Sequence, residues 1–149
     1  ALNPEAGLME CDHVPCLLRN AFTREEKPLG LLQGLRVVVV SGIASPMSFE
    51  QALEALGAEL VERRRFADHH RFSQQEVLDL VNGAEERGAQ AVLTTEKDAV
   101  RMPRIERCPV PVYFLRIEVR FKSGFEEFER CIGEITFSAA AARSPEESA

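Results

Sequence analysis

The chain has 149 residues, 45% of them hydrophobic, and an acidic excess that gives a formal net charge of -6. That length supports one domain with a real core, and the charge excludes a general nucleic-acid binder, whose affinity rests on a broad basic surface that displaces counterions from phosphates. No apolar run approaches the about 18 to 20 residues of a membrane span, and ALNPEAGLME lacks the basic-then-apolar order of a signal peptide, so the expected location is the cytoplasm or a membrane surface.

Residues 1–34 carry Pro4, Pro15, Pro28, Gly7, Gly30 and Gly34 without a sustained period, and read as a connecting arm. Within them CDHVPC offers Cys11, Asp12, His13 and Cys16, but the C-x4-C spacing and the distance to Cys108 and Cys131 do not make a zinc site. With no secretory signal, the four cysteines are read as reduced thiols. Starting at Ala1 rather than Met, the sequence also reads as a piece of something longer.

From residue 35 the pattern sharpens. LRVVVVSG, Leu35 to Gly42, is a β-branched run ending in glycine, as expected of a strand buried on both faces of a parallel sheet. SPMSFEQALEALG follows with Ser45 as cap, Pro46 in the first turn, and Phe49, Ala52, Leu53 and Leu56 at helical spacing. AELVERRRF predicts a second strand. SQQEVLDLVNGAEERG predicts a second helix, with Ser73 and Glu76 in a capping box, Val77, Leu80, Val81 and Ala84 as the buried stripe, and Gly88 as the stop. Gln90–Thr94 predicts a third strand that opens into a short helix capped by Thr95 with Asp98 in its first turn. VPVYFLRIEVRF is a longer β run, and SGFEEFERCIGEI places Ser123 and Glu126 in capping-box register. Residues 138–149 have no large apolar anchor and read as a disordered tail.

This alternation predicts an α/β fold: a Rossmann-like three-layer sandwich around a parallel sheet, one domain over 35–137. Ligands of such sheets sit at the carboxyl ends of the strands. Three loops qualify, SGIASP, FADHHRF and TTEKDAVR.

Each loop has a chemical and a plain reading. Asp68 beside His69 and His70 suits a carboxylate fixing an imidazole for general-base or orienting work, or else a solvated polar loop. The DHH triplet without further Asp and His clusters is a weak match to metal-dependent hydrolysis, and no metal ligands are assigned. Arg63 and Arg65 share one face of their strand and Arg64 the other; they could clamp a phosphate or form a solvated edge. Thr94, Thr95, Glu96, Lys97, Asp98 and Arg101 crowd a strand-to-helix turn that offers an anion site, or simply a capped helix. No G-x-x-x-x-G-K-[ST] and no G-x-G-x-x-G occurs, so a nucleotide's phosphate cradle would have to come from elsewhere.

Together, Gly42-Ile43 with Pro46 and Phe49, Phe66-x-Asp68-His69, and Thr95-Glu96-Lys97-Asp98-Ala99-Val100 resemble the C-terminal half of the tetraacyldisaccharide 4'-kinase (lipid A 4'-kinase) family, over about Pro28 to Val119. The resemblance implies a two-lobed transferase of lipid A biosynthesis, peripheral to the cytoplasmic face of the inner membrane. It would move the ATP γ-phosphoryl group to the 4'-hydroxyl of a lipid-linked disaccharide 1-phosphate, with Mg²⁺. Its P-loop and catalytic carboxylate would lie in an N-terminal lobe that this sequence lacks, so ATP and Mg²⁺ both require that lobe. By motif match, His69 assists the carboxylate, Asp68 orients His69, and Thr94, Thr95, Lys97 and Asp98 face the nucleotide. Ala44-Ser45 and the first 27 residues depart from the family pattern. The chain alone, a fragment or a truncated paralogue, is therefore expected to be inactive; the alternative is a non-catalytic nucleotide-binding or interaction module.

Overall fold

Four consecutive valines set the architecture. Successive side chains of a strand point to opposite faces, so Val37 and Val39 enter one core while Val38 and Val40 enter another. A computed structural model of the protein describes residues 10–126, 128–130, 132 and 133, and shows this run as the strand β3, Arg36–Ser41.

β3 has parallel neighbours on both sides: β4 (Glu59–Arg65), in register Val39 to Arg63 and Ser41 to Arg65, and β5 (Ala91–Thr95), in register Val37 to Ala91 and Val39 to Leu93. β6 (Val112–Ser123) pairs in parallel with β5. The helix α1 (Pro46–Ala55) joins β3 to β4, and α2 (Gln74–Glu86) joins β4 to β5. Phe49 and Leu53 of α1 pack with Val37, Val39, Leu93 and Leu115; Val77, Leu80, Val81 and Ala84 of α2 pack with Val38, Val40, Val92 and Val112. Helix, sheet and helix thus form the three expected layers, and the buried stripe of α2 is the one its spacing predicts. Its capping box is present as well: the Ser73 hydroxyl accepts from the Glu76 amide, and the Glu76 carboxylate accepts from the Ser73 amide.

The stretch read as a connecting arm contributes to the sheet. β1 (Glu10–Asn20) lies between β6 and the two-residue β2 (Glu26–Lys27), giving the strand order β2-β1-β6-β5-β3-β4. β1 and β2 are antiparallel. The Cys16 thiol donates to the Arg116 carbonyl and the Ala21 amide to that of Val112, a falling order that makes β1 antiparallel to β6 too. The sheet is therefore mixed, with four parallel strands rather than a wholly parallel set. A 3-10 turn, Leu29–Leu32, buries Leu32 against the α1 layer.

The chain divides into two units. Pro15–Ile117 holds both cores; the other is formed by the segments on either side of it, in which Lys122 pairs with Asp12 at 3.0 Å and Phe121 stacks on Phe128. In that second unit Ser123 ends β6 instead of capping a helix, and Gly124, at φ 78°, leads into helical residues from 125. The tail expected over 138–149 lies outside the described residues. Among those described, no helix is long and apolar enough to cross a membrane.

Candidate functional site at the switch point of the sheet

From β3 the chain moves to β4 on one side and then crosses to β5 on the other. The strand order therefore reverses between β3 and β5, the place where open α/β sheets hold ligands. Parallel pairing puts the ends of β3, β4 and β5 on one edge, and hydrogen bonds join the three loops that leave them.

Asp98, in the short helix α3 (Glu96–Ala99), is the hub. Its side chain is fully buried. Oδ2 accepts from the Gly42 amide at 2.9 Å, tying the β5 loop across the crevice to the β3 loop, and from the Thr95 hydroxyl at 2.8 Å. The Thr95 hydroxyl in turn accepts from the Asp98 amide at 3.2 Å, the capping bond read from the sequence. Oδ1 makes no hydrogen bond, and the Arg101 guanidinium lies 3.7 Å from it. The negative charge at this turn is thus the protein's own, and a four-residue helix has little dipole to offer an external anion. Gly42 is required by close approach: a Cβ there would lie 3.1 Å from the Ala67 carbonyl and 3.2 Å from Asp98 Oδ1.

The β4 loop completes the rim. His69 has a left-handed backbone, φ 62°, and its amide donates to the Asp68 carboxylate at 3.0 Å and to the Gly42 carbonyl at 3.2 Å. A non-glycine residue held there by two acceptors stores strain of about 1 kcal/mol or more. The imidazole is 76% exposed. Its Nδ1 is 3.0 Å from Nη2 of Arg101, whereas its Nε2 is 3.8 Å from Asp68. Asp68 therefore orients the backbone of His69, and Arg101 holds the ring. His69, Arg71, Phe72 and Arg101 line an open hollow of about 510 Å³.

The second histidine has a different task. His70 stacks on Phe66 at 4.6 Å, meets Phe72 edge-on at 4.9 Å, and approaches Glu76 at 3.0 Å through Nε2. The Ser73 amide, then the Ser73 hydroxyl and His70, hold the Glu76 carboxyl below the usual carboxylate range. His70 pegs the loop to the start of α2.

Of the six residues singled out in the sequence, His69, Asp68 and Lys97 are exposed, Thr95 is half-buried, and Thr94 and Asp98 are buried. The arginine triplet does not join the rim. Arg65 makes a bidentate pair with the buried Glu50 at 2.7 and 2.8 Å, Arg63 pairs with Glu50 and Glu54, and Arg64 pairs with Glu62, which also holds Arg87. The residues that site reasoning underrated are Arg101 and Gly42. Arg101 had a legible signal in its i, i+3 spacing from Asp98; the crowding at Gly42 had none.

A family model described as tetraacyldisaccharide-1-phosphate 4'-kinase matches residues 3–133. The chain belongs to that family. Among its curated relatives, the tetraacyldisaccharide 4'-kinase of Syntrophus aciditrophicus is 35% identical over 123 residues, 83% of this chain and 33% of the relative. That of Anaeromyxobacter sp. strain K is 45% identical over 94 residues, 63% of this chain and 25% of the relative. A crystal structure of LpxK from Aquifex aeolicus in complex with ATP superposes with a TM-score of 0.55 at 25% identity, over 85% of this chain and 36% of that one. This tetraacyldisaccharide 4'-kinase family chain thus spans about a third or less of the length of these relatives. Among the described residues of this family member, no three His, Cys, Asp or Glu side chains converge as a metal cluster.

Proposed function

We propose that the chain is the C-terminal lobe of a lipid A 4'-kinase, which transfers the ATP γ-phosphoryl group to the 4'-hydroxyl of a tetraacyldisaccharide 1-phosphate. Family membership supports the reaction class, and the junction of three loops at the β3/β5 switch point carries the assignment of the site. Phosphoryl transfer asks mainly for positioning and for cations around the transferring group. The exposed His69, Arg71 and Lys97, with Arg101 behind them, are suited to meet a nucleotide held by a P-loop lobe.

Roles follow from exposure. His69 contacts the reacting groups, Asp68 sets its loop, and Lys97 faces the phosphates. Thr95 and Asp98 act from beneath, by locking the β5 loop to Gly42, and Thr94 lies in the floor. Among the described residues no donor set converges for the Mg²⁺ that accompanies ATP, and Asp98 is engaged by Gly42, Thr95 and Arg101. Its ligands are assigned to the other lobe. A peripheral place at the inner membrane belongs to the same proposal.

The sequence contains no glycine-rich phosphate cradle, so the 149-residue chain alone should not phosphorylate the disaccharide. In a two-lobed kinase containing this lobe, His69→Asn, which tolerates the left-handed backbone, should cut turnover about 100-fold. Unchanged turnover would remove His69 from the reaction. Tight binding of ATP and Mg²⁺ by the chain alone, measured by calorimetry, would favour a self-contained nucleotide-binding module instead.

A further inference from the structure

We infer that Arg101 is a positioning residue that fixes His69 as the neutral Nε2–H tautomer and so makes it a hydrogen-bond donor toward the reacting groups. The inference deepens the proposed function and rests on it for the part that concerns turnover.

The chemistry is decided by the partner. A guanidinium has five N–H donors and no acceptor. At 3.0 Å from Arg101 Nη2, Nδ1 of His69 must therefore present its lone pair, and the single ring proton of the neutral imidazole then sits on Nε2. That nitrogen lies on a ring that is 76% exposed and is 3.8 Å from the Asp68 carboxylate, too far for a hydrogen bond. Its N–H is left pointing outward for an incoming acceptor, such as a carboxylate or a phosphoryl oxygen supplied from outside this lobe. A histidine oriented by a carboxylate at Nδ1 would have the opposite tautomer and expose a lone pair at Nε2, the arrangement of a general base.

Arg101 is itself held. Its Nη1 is buried and lies 3.7 Å from Oδ1 of the fully buried Asp98, whose other oxygen is tied to Gly42 and Thr95. One planar fork spans a buried carboxylate and an exposed imidazole. A lysine ammonium, a single point of charge on a flexible stem, cannot reproduce both contacts in fixed geometry.

The chain has three histidines, which makes the test direct. In the ¹⁵N-histidine-labelled chain at a pH where the rings are neutral, long-range proton–nitrogen spectra, assigned with His69→Asn and His70→Asn, should show Nδ1 of His69 unprotonated and Nε2 protonated. Arg101→Met should replace that pattern by the average of two exchanging tautomers, and Arg101→Lys should restore it only in part. A wild-type His69 that is already averaged, or carries its proton on Nδ1, overturns the inference whether or not any variant folds.

The catalytic half is read separately, in the two-lobed kinase. Arg101→Met should lower kcat about 10- to 100-fold, the scale of a misplaced group, and should cost little more in the His69→Asn background. Equal losses in both backgrounds would show that Arg101 does not act through His69. A fixed tautomer with no effect of His69→Asn on turnover would instead sink the reading of the rim as a kinase site while leaving the Arg101 clamp intact.

Discussion

Replacing Asp98 by Ala tests whether one buried carboxylate holds the rim together. Oδ2 accepts two hydrogen bonds, from the Gly42 amide at 2.9 Å and the Thr95 hydroxyl at 2.8 Å, and hydrogen bonds to a charged group contribute about 1.5–3 kcal/mol each. The substitution also strands the buried Nη1 of Arg101 without its counter-charge. Removing one partner of such a buried pair costs about 3–5 kcal/mol, a large share of the about 5–15 kcal/mol that stabilises a typical domain. The assay is urea unfolding of the chain at neutral pH followed by far-UV circular dichroism, with the loss read as a lower midpoint at unchanged slope. Asp98→Asn keeps an acceptor for Gly42 and should lose about half as much. A midpoint for Asp98→Ala within about 1 kcal/mol of the parent protein would refute the argument, because it would mean that the orphaned donors find other partners at little cost.

Three further outcomes follow from the same geometry. Gly42→Ala should destabilise by about 1–3 kcal/mol, the cost of an extra methyl in a packed site, since its Cβ would press on the Ala67 carbonyl and on Asp98; unfolding midpoints check this. Hydrogen bonding from Arg65, aided by the charges of Arg65 and Arg63, holds the Glu50 carboxyl below its ordinary 4.5 against the opposing effect of burial. A carboxyl lowered by folding stabilises above its unfolded value and loses that contribution as pH falls through the folded one. The urea midpoint should therefore drop as pH falls below about 4.5, less steeply in Glu50→Gln, while Arg65→Ala should lower the midpoint without changing KM for ATP in the two-lobed kinase. Burial pushes the Cys108 thiol up, and Cys11 is exposed, so timed alkylation followed by mass spectrometry should label Cys11 well before Cys108.

The elements legible in the sequence were those whose signal is local and periodic. Val37–Val40, β-branched and closed by a glycine, read as a doubly buried strand, the Ser73–Glu76 box and its apolar stripe fixed the start and inner face of α2, and Thr95 with Asp98 marked α3. β1 was missed because Pro15 interrupts it; among the described residues β2 pairs with Leu18 and Arg19, so no ladder bond to β2 is lost at the proline, a tertiary circumstance no local pattern carries. Ser123 misled for the converse reason, since sheet pairing carried β6 through the capping register. At the site, the meeting of three loops on one edge followed from the strand alternation. The partner of each charged group did not: Arg63–Arg65 read equally well as phosphate ligands until Glu50, Glu54 and Glu62 were seen opposite them, and the holder of the His69 ring turned out to be a cation 32 residues away.

The acidic and basic side chains along β4 have a consequence for life in a crowded cell. Among the described residues β4 is the last strand on its side of the sheet, with no strand paired to the far side of its backbone ladder. A second molecule trying to dock there as a seventh strand would have to strip water from Glu59, Glu62 and three arginines whose charges are already matched within the fold, gaining little in return. The triplet that looks like bait for phosphate is thus spent on its own carboxylates, and would make this edge a poor template for a further strand.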